Sequence, residues 1–256
     1  MNPKNIVKPI FQRVLGLHAY LVLHSIFVAL TMKLRPQEGE VLQFIKLLKP
    51  DDVVLDIGAN VGAMSVLFAK ACPEGSIFAF EPIPANFRAL RTVLKMFNLK
   101  SVSIFPWAIG EKPDVLKMVV PQKGGSIMEG LSHVLTDQYV SEGETFDVQC
   151  TSLDTLSTQT ILPGKVNAIK IDVENYEVPV ILGALKLIER DRPLIYCEIW
   201  DADNRGVIQV ALAKFGYTVH VAVHDHLEHY NPVIHTQVNL LFLPDFETDP
   251  QLLNKS

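Results

Sequence analysis

The ten residues Val53-Val54-Leu55-Asp56-Ile57-Gly58-Ala59-Asn60-Val61-Gly62 constrain this chain more than any other stretch. Apolar and β-branched residues around a single acid read as a buried strand. Gly58 and Gly62 bracket a tight turn, and Ala63 to Lys70 has the composition of a helix. Strand, glycine turn and helix start form a cradle for a nucleotide-like ligand. The glycines let the backbone approach that ligand, and the unpaired N–H groups of the first helical turn face it.

The rhythm on either side extends this unit into a sheet. Glu40 to Leu48 reads as an amphipathic helix that leads into the first strand. Ser76 to Phe80 is a second strand ending in Glu81, Pro84 opens a helix running to about Asn98, and Val102 to Phe105 is a third strand. Val166 to Asp172 and Pro193 to Glu198 are further strands, with a helix from Glu177 to Glu189 between them. Val207 to Phe215 is a helix, and Tyr217 to Val223 and Val238 to Leu243 are the last strands. Strands alternating with helices predict an α/β fold, a Rossmann-like, doubly wound, mostly parallel sheet. Val115 to Val120 and Thr145 to Thr151 break the rhythm as an inserted β-hairpin. The long loop 121–144 between them is the expected lid or acceptor surface. Three segments follow: a basic and apolar helical stretch over 1–37, the main domain over 38–244, and a peripheral tail over 245–256.

Charge and cysteine usage exclude some partners. Residues 1–37 hold Lys4, Lys8, Arg13, Lys33 and Arg35 with no acid, leaving 18 basic against 28 acidic residues in the remainder. An acidic main domain is a poor partner for a nucleic acid. Cys72, Cys150 and Cys197 lack C-x-x-C spacing and read as buried thiols of a reducing, cytoplasmic compartment. Val14 to Leu30 is apolar on nearly every face and is flanked by bases. Two readings stand for it: a helix packed on the main domain, or contact with a membrane surface. No small-residue cleavage site marks it as a removed signal peptide.

The cradle chooses between two cofactor classes. A dinucleotide site needs G-x-G-x-x-G, and aligned on Gly58 the later positions are Asn60 and Ala63. A side chain at Asn60 stands where a diphosphate would lie, which disfavours NAD. Asp56, two residues before the first glycine, suits a ligand with a cationic amino-acid end, such as S-adenosylmethionine, and Gly58 and Gly62 would admit its body. Asn60 also tolerates positive φ. Glu81, 25 residues beyond Asp56, ends the next strand and fits a ribose, serving either cofactor.

Asp172-Val173-Glu174-Asn175-Tyr176-Glu177 ends a later parallel strand and should face the same crevice. Asp172 and Glu174 are candidates for substrate placement or general-base work, with Asp172 first. The competing reading is helix-start electrostatics with Asn175 as an N-cap, and it is preferred for Glu177. Asp172 and Glu198 on adjacent strand ends are too few ligands for a metal site, and no metal is expected. His224, His226, His229 and His235 read as a polar loop rather than a metal centre, although one of them is a reserve candidate for the base. Asp154 is read as a helix cap.

These stretches together resemble a known family. Val54 to Gly62, Phe78-Ala79-Phe80-Glu81-Pro82, Ala108-Ile109-Gly110, Ser152 to Leu156 and Ile169 to Glu174 occur in the order found in FkbM-type methyltransferases, which have the class I S-adenosylmethionine-dependent fold. The resemblance implies O-methylation of a hydroxyl on a glycan, lipid-linked sugar or secondary metabolite. It implies cofactor contacts at Asp56, Gly58, Asn60, Gly62 and Glu81, and adenine near Trp107 and Ala108. Asn175 stands where the family commonly has glycine. A non-catalytic cofactor-binding scaffold and an NAD-dependent oxidoreductase are the alternatives.

Overall fold

The computed structural model describes residues 4–32, 39–123, 126–135, 142–162, 164–224 and 226–245. Part of the 121–144 loop, nearly all of the tail 245–256, and Lys33 and Arg35 lie outside the described residues.

The N-terminal segment is two helices, α1 (Lys4–Leu15) and α2 (Leu17–Thr31), rather than one starting at Val14. Gly16 between them has φ +76, a left-handed backbone that interrupts the helical ladder. Helix α3 (Gly39–Leu47) leads into β1 (Val53–Ile57), followed by α4 (Ala63–Ala71), β2 (Ser76–Phe80), α5 (Pro84–Met96) and β3 (Val102–Phe105). Next come β4 (Ala108–Ile109), β5 (Asp114–Lys123), β6 (Ser126–Ile127), a 3-10 turn at Glu129–Leu131, β7 (His133–Val134) and β8 (Gly143–Thr151). The chain continues through α6 (Leu153–Thr158), β9 (Ala168–Ile171), α7 (Glu177–Leu182), α8 (Leu185–Asp191), β10 (Leu194–Glu198) and α9 (Ala202–Ala213). It ends with β11 (Tyr217–Val223), β12 (His226–His229) and β13 (Asn239–Pro244).

The main sheet runs β12-β11-β13-β10-β9-β1-β2-β3. Strands β3, β2, β1, β9 and β10 are parallel, and β13, β11 and β12 join antiparallel. The chain winds outward from β1 in both directions, through β2 on one side and β9 on the other. Such a reversal of strand order opens a crevice at the carboxyl ends of the strands. The fully buried Leu55, Ile57, Phe80, Ile169 and Ile171 lie in one continuous core beneath that crevice.

The inserted hairpin is real and larger than a hairpin. β5 and β8 pair antiparallel from Asp114↔Cys150 to Pro121↔Gly143, and β4, β6 and β7 complete a second, five-stranded sheet. The side chain of Gln12 on α1 ties this insertion down. Its Nε2 donates to the Ile127 carbonyl at 3.1 Å, and its Oε1 accepts the Ile127 N–H at 3.2 Å.

Three helix boundaries differ from the sequence reading. The helix placed over Glu177 to Glu189 is two, because the chain turns at Gly183, where a Cβ would stand 2.0 Å from the Gly110 carbonyl oxygen. The helix placed at Val207 begins at Ala202, because the Asp201 carboxylate accepts the N–H groups of Asp203 and Asn204. Asn175 is not an N-cap. Its φ of +70 is left-handed where an N-cap is extended, and Tyr176 holds the cap position.

Candidate active site

The glycine turn is held from below. Asp56 is completely buried; its Oδ2 accepts the Ser65 hydroxyl at 2.6 Å, and its Oδ1 lies 3.3 Å from Lys170 Nζ. Lys170, on β9 beside β1, also donates to the carbonyl of Gly58 at 2.7 Å and stands 3.5 Å from Asp172. Burial pulls this ammonium toward neutrality, but Asp56 and Asp172 outweigh it and raise the pKa above the ordinary lysine value. Asp56 therefore sits beneath the turn and does not line the cavities above it. Lys170 escaped notice in the sequence because it lies in an apolar strand, Ala168-Ile169-Lys170-Ile171. A lone lysine in such a run was the available signal.

The two glycines have structural reasons. Gly58 has φ +74, and a Cβ there would stand 1.9 Å from the Asp172 carbonyl oxygen. Gly62 has φ +89, and a Cβ would run into Leu90 of α5 at 2.5 Å. Gly58 lines the crevice, whereas Gly62 caps α4 and lies outside both cavity linings. Asn60 has φ +49, and its N–H donates to Glu81 Oε2 at 2.8 Å.

Glu81 locks the far side of the turn. Besides Asn60, it accepts the N–H of Ile83 at 2.9 Å and the Asn86 amide at 3.4 Å. Burial pushes its carboxyl up to about 7, although these donors and Lys170 favour the charged form.

Above the turn lies a cavity open to solvent on one side, where the carboxyl ends of β1, β2, β9 and β10 meet the insertion. Gly58, Asn60, Glu81, Trp107, Ala108, Asp172, Glu174 and Glu198 all line it. Trp107 stacks on Phe105 with ring centroids 5.0 Å apart. The insertion supplies the roof through Met118 of β5, which the sequence reading left without a role, and through Gly130, Ser132 and Val134, which fall in the 121–144 stretch expected to form a lid or acceptor surface. A Cβ at Gly130 would lie 3.6 Å from Asn60 Nδ2, so the roof closes directly over the turn. A second cavity shares Gly58, Asn60, Asp172 and Glu198, and is walled by Lys170, by His24 and Val28 of α2 and by Met32 just past its end.

The late acidic turn is strained and electrostatically crowded. Glu174 and Asn175 have φ +52 and +70. Burial, then Asp172, Glu198 and Glu177, push the Glu174 carboxyl up to about 8. Glu177 is buried, accepts the Asn175 N–H at 2.9 Å, and is raised by burial to about 7. The histidines do not join this site. His226 and His229 lie on β12, where His229 packs against His220, and His235 and His226 approach Glu228. Among the described residues, no three His, Cys, Asp or Glu side chains converge as metal ligands. Asp154 is a cap, but of α8: its carboxylate accepts the N–H groups of Lys186 and Leu187, while Ser152 caps α6.

A profile of the methyltransferase FkbM domain matches residues 56–234. The chain belongs to the FkbM methyltransferase family. The 2-O-methyltransferase NoeI of Sinorhizobium fredii is 30% identical over 172 residues, covering 63% of this chain and 69% of that protein. The 31-O-demethyl-FK506 methyltransferase FkbM of Streptomyces tacrolimicus is 31% identical over 201 residues, covering 67% of this chain and 75% of that protein. The crystal structure of methyltransferase FkbM from Methylobacillus flagellatus shares the fold, with a TM-score of 0.51 at 14% identity over 76% of this chain. The present chain spans 44% of that protein's length. As a member of the family, the chain is a methyltransferase on a class I, Rossmann-like fold, and the two relatives similar in sequence carry names that specify oxygen as the methylated atom.

Proposed function

We propose that the acidic cavity binds S-adenosylmethionine and that the enzyme methylates a hydroxyl of a small-molecule or glycan acceptor. The observation that carries this reading is the charge of the lining. Glu81, Asp172, Glu174 and Glu198 face one cavity, with no lysine, arginine or histidine among its described lining residues. A diphosphate would meet the Asp172 and Glu198 carboxylates while the nearest ammonium, Lys170, is already engaged by Asp56, Asp172 and the Gly58 carbonyl, whereas a ligand carrying ammonium and sulfonium charges is attracted. That contrast disfavours NAD on grounds independent of Asn60 and Ala63.

The residues fit the cofactor by role. Glu81 would accept the ribose hydroxyls, Trp107 and Ala108 would flank the adenine, and Gly58 and Asn60 would present the turn. Asp56 and Lys170 are positioning residues that hold this turn from beneath. When bound, the cofactor supplies a methyl group already activated by its cationic sulfur. The chain must then hold an acceptor oxygen and take its proton. Glu174, with a proton affinity near the working pH, suits that transfer; Asp172, 3.5 Å from Lys170, orients the same hydroxyl or takes the proton in its place.

The test is transfer from methyl-labelled S-adenosylmethionine to a panel of glycans, lipid-linked sugars and hydroxylated metabolites, read by mass. The wild type labels at least one acceptor, and Asp172→Asn or Glu174→Gln lowers turnover by about a hundredfold or more. Full turnover in both variants would remove these carboxylates from the chemistry. Cofactor binding without transfer to any acceptor would favour a scaffold.

A further inference from the structure

Helix α2, Leu17-His18-Ala19-Tyr20-Leu21-Val22-Leu23-His24-Ser25-Ile26-Phe27-Val28-Ala29-Leu30-Thr31, contains no charged residue and yet is not enclosed. One face, with Leu21, Val22, Ser25 and Ala29, is buried as α2 packs on α4 and α5. The opposite row, Leu23, Phe27 and Leu30 at i, i+4 and i+7, is 53%, 59% and 62% exposed. A solvated outer face normally carries polar residues, and exposed apolar rows of this kind mark a docking surface. On α1, Phe11, Val14 and Leu15 are exposed as well.

The surroundings say what docks there. His18 of α2 hydrogen-bonds Thr92 of α5 at 3.2 Å, and Thr92 is bracketed on α5 by exposed Arg88, Arg91 and Lys95. Residues 82–110 hold these three bases and Lys100 with no acid, and residues 1–37 hold five bases with no acid. Nine of the 23 basic residues thus fall in two acid-free segments, and all 28 acidic residues lie elsewhere. We propose that this face, the outer row of α2 bordered by the basic edge of α5, docks on an anionic lipid surface. The apolar row enters the acyl boundary and the bases meet the headgroups. The helix lies on the surface and does not span it. Its 15 residues cover about 22 Å against roughly 30 Å of hydrocarbon, and no described helix is long and apolar enough to cross a membrane. A second copy is a poorer occupant, because a two-fold interface through this face would bring equally basic edges together. The docking is independent of what the cavity binds. It would bring α2, whose Val28 walls the second cavity together with Met32 just past its end, against the lipid.

Flotation of the full chain with phosphatidylcholine vesicles, with and without phosphatidylserine, tests this. The wild type floats with the phosphatidylserine vesicles, and the bound fraction falls as salt is raised. Leu23→Ser/Phe27→Ser/Leu30→Ser and, separately, Arg91→Glu/Lys95→Glu each weaken partition by about tenfold or more. Both α5 side chains are exposed, so the charge variant carries the test alone if the triple variant fails to fold. No flotation of the wild type, or undiminished flotation of the charge variant, would overturn the proposal. So would a dimer in analytical ultracentrifugation that the α2 replacements dissolve while the wild type ignores vesicles.

Discussion

Replacing Lys170 with methionine keeps the apolar stem of the side chain and removes the ammonium group at its end. Lys170 is 3% exposed and neutralises Asp56, which is completely buried, at 3.3 Å. Stripping one partner from such a pair leaves an uncompensated buried charge and costs about 3–5 kcal/mol. The Gly58 carbonyl also loses its 2.7 Å donor, a cost of about 1–3 kcal/mol that overlaps the first because one ammonium serves both. The contact with Asp172 adds little, because that side chain is 38% exposed and screened. For a chain of this size each kcal/mol moves the midpoint by about 2–4 °C, so Lys170→Met should melt roughly 6–20 °C below the wild type. The double variant Lys170→Met/Asp56→Asn removes both charges and should recover part of that loss, giving a coupling of about 1 kcal/mol or more. Urea titration and thermal melting of the wild type, both single variants and the double variant measure it. A Lys170→Met protein melting within about 2 °C of the wild type, or strictly additive single effects, would refute the idea that this lysine anchors the turn.

Two further outcomes follow from the same geometry. Burial lifts Glu81 and Glu177 to about 7 and Glu174 to about 8, so the folded chain holds protons that the unfolded chain has released. Stability should therefore fall as pH rises from about 6.5 to about 8.5, a window above that of His220, which burial holds down to about 4. Melting curves at fixed ionic strength check the sign, and a midpoint that rises across that window would contradict it. Asp154→Ala should cost about 1–2 kcal/mol, because the N–H groups of Lys186 and Leu187 lose their acceptor while Ser152 still caps α6; denaturant unfolding tests this.

The sheet was legible because its information is local. Val53–Ile57 and Ser76–Phe80 are short apolar runs bounded by turn residues, and the structure ends both strands where the sequence does. Glu81, Asp172 and Glu174 could be aimed at one crevice because parallel strands deliver their carboxyl ends to the same edge. What the sequence hid is tertiary. The glycine at the break, Gly183, is required by a contact distant in sequence, because the Gly110 backbone occupies the space a Cβ would need. The start of α9 is a run of polar residues that reads as a turn until the Asp201 side chain closes on it. Strand β12 was hidden in a histidine-rich loop, because an edge strand shows little of its pairing in its own residues. Asp56 looked like a ligand contact because its place before the glycines is local information. Its burial against Ser65 and Lys170 depends on α4 and β9. The same holds for the walls of the cavities, where Met118 and Val134 come from the insertion and Val28 and Met32 from α2 and its end.

Titration calorimetry of the wild type and of Glu81→Gln with S-adenosylmethionine and with NAD bears on the acidic cavity without needing the acceptor. Binding of a cation to carboxylates held partly protonated should release protons near neutral pH, so the heat of S-adenosylmethionine binding should change with the ionisation enthalpy of the buffer. The expected result is one S-adenosylmethionine site per chain, affinity lowered about tenfold or more in Glu81→Gln, and no NAD heat. Absent S-adenosylmethionine binding, or NAD binding equally well, would contradict the assignment of the cavity.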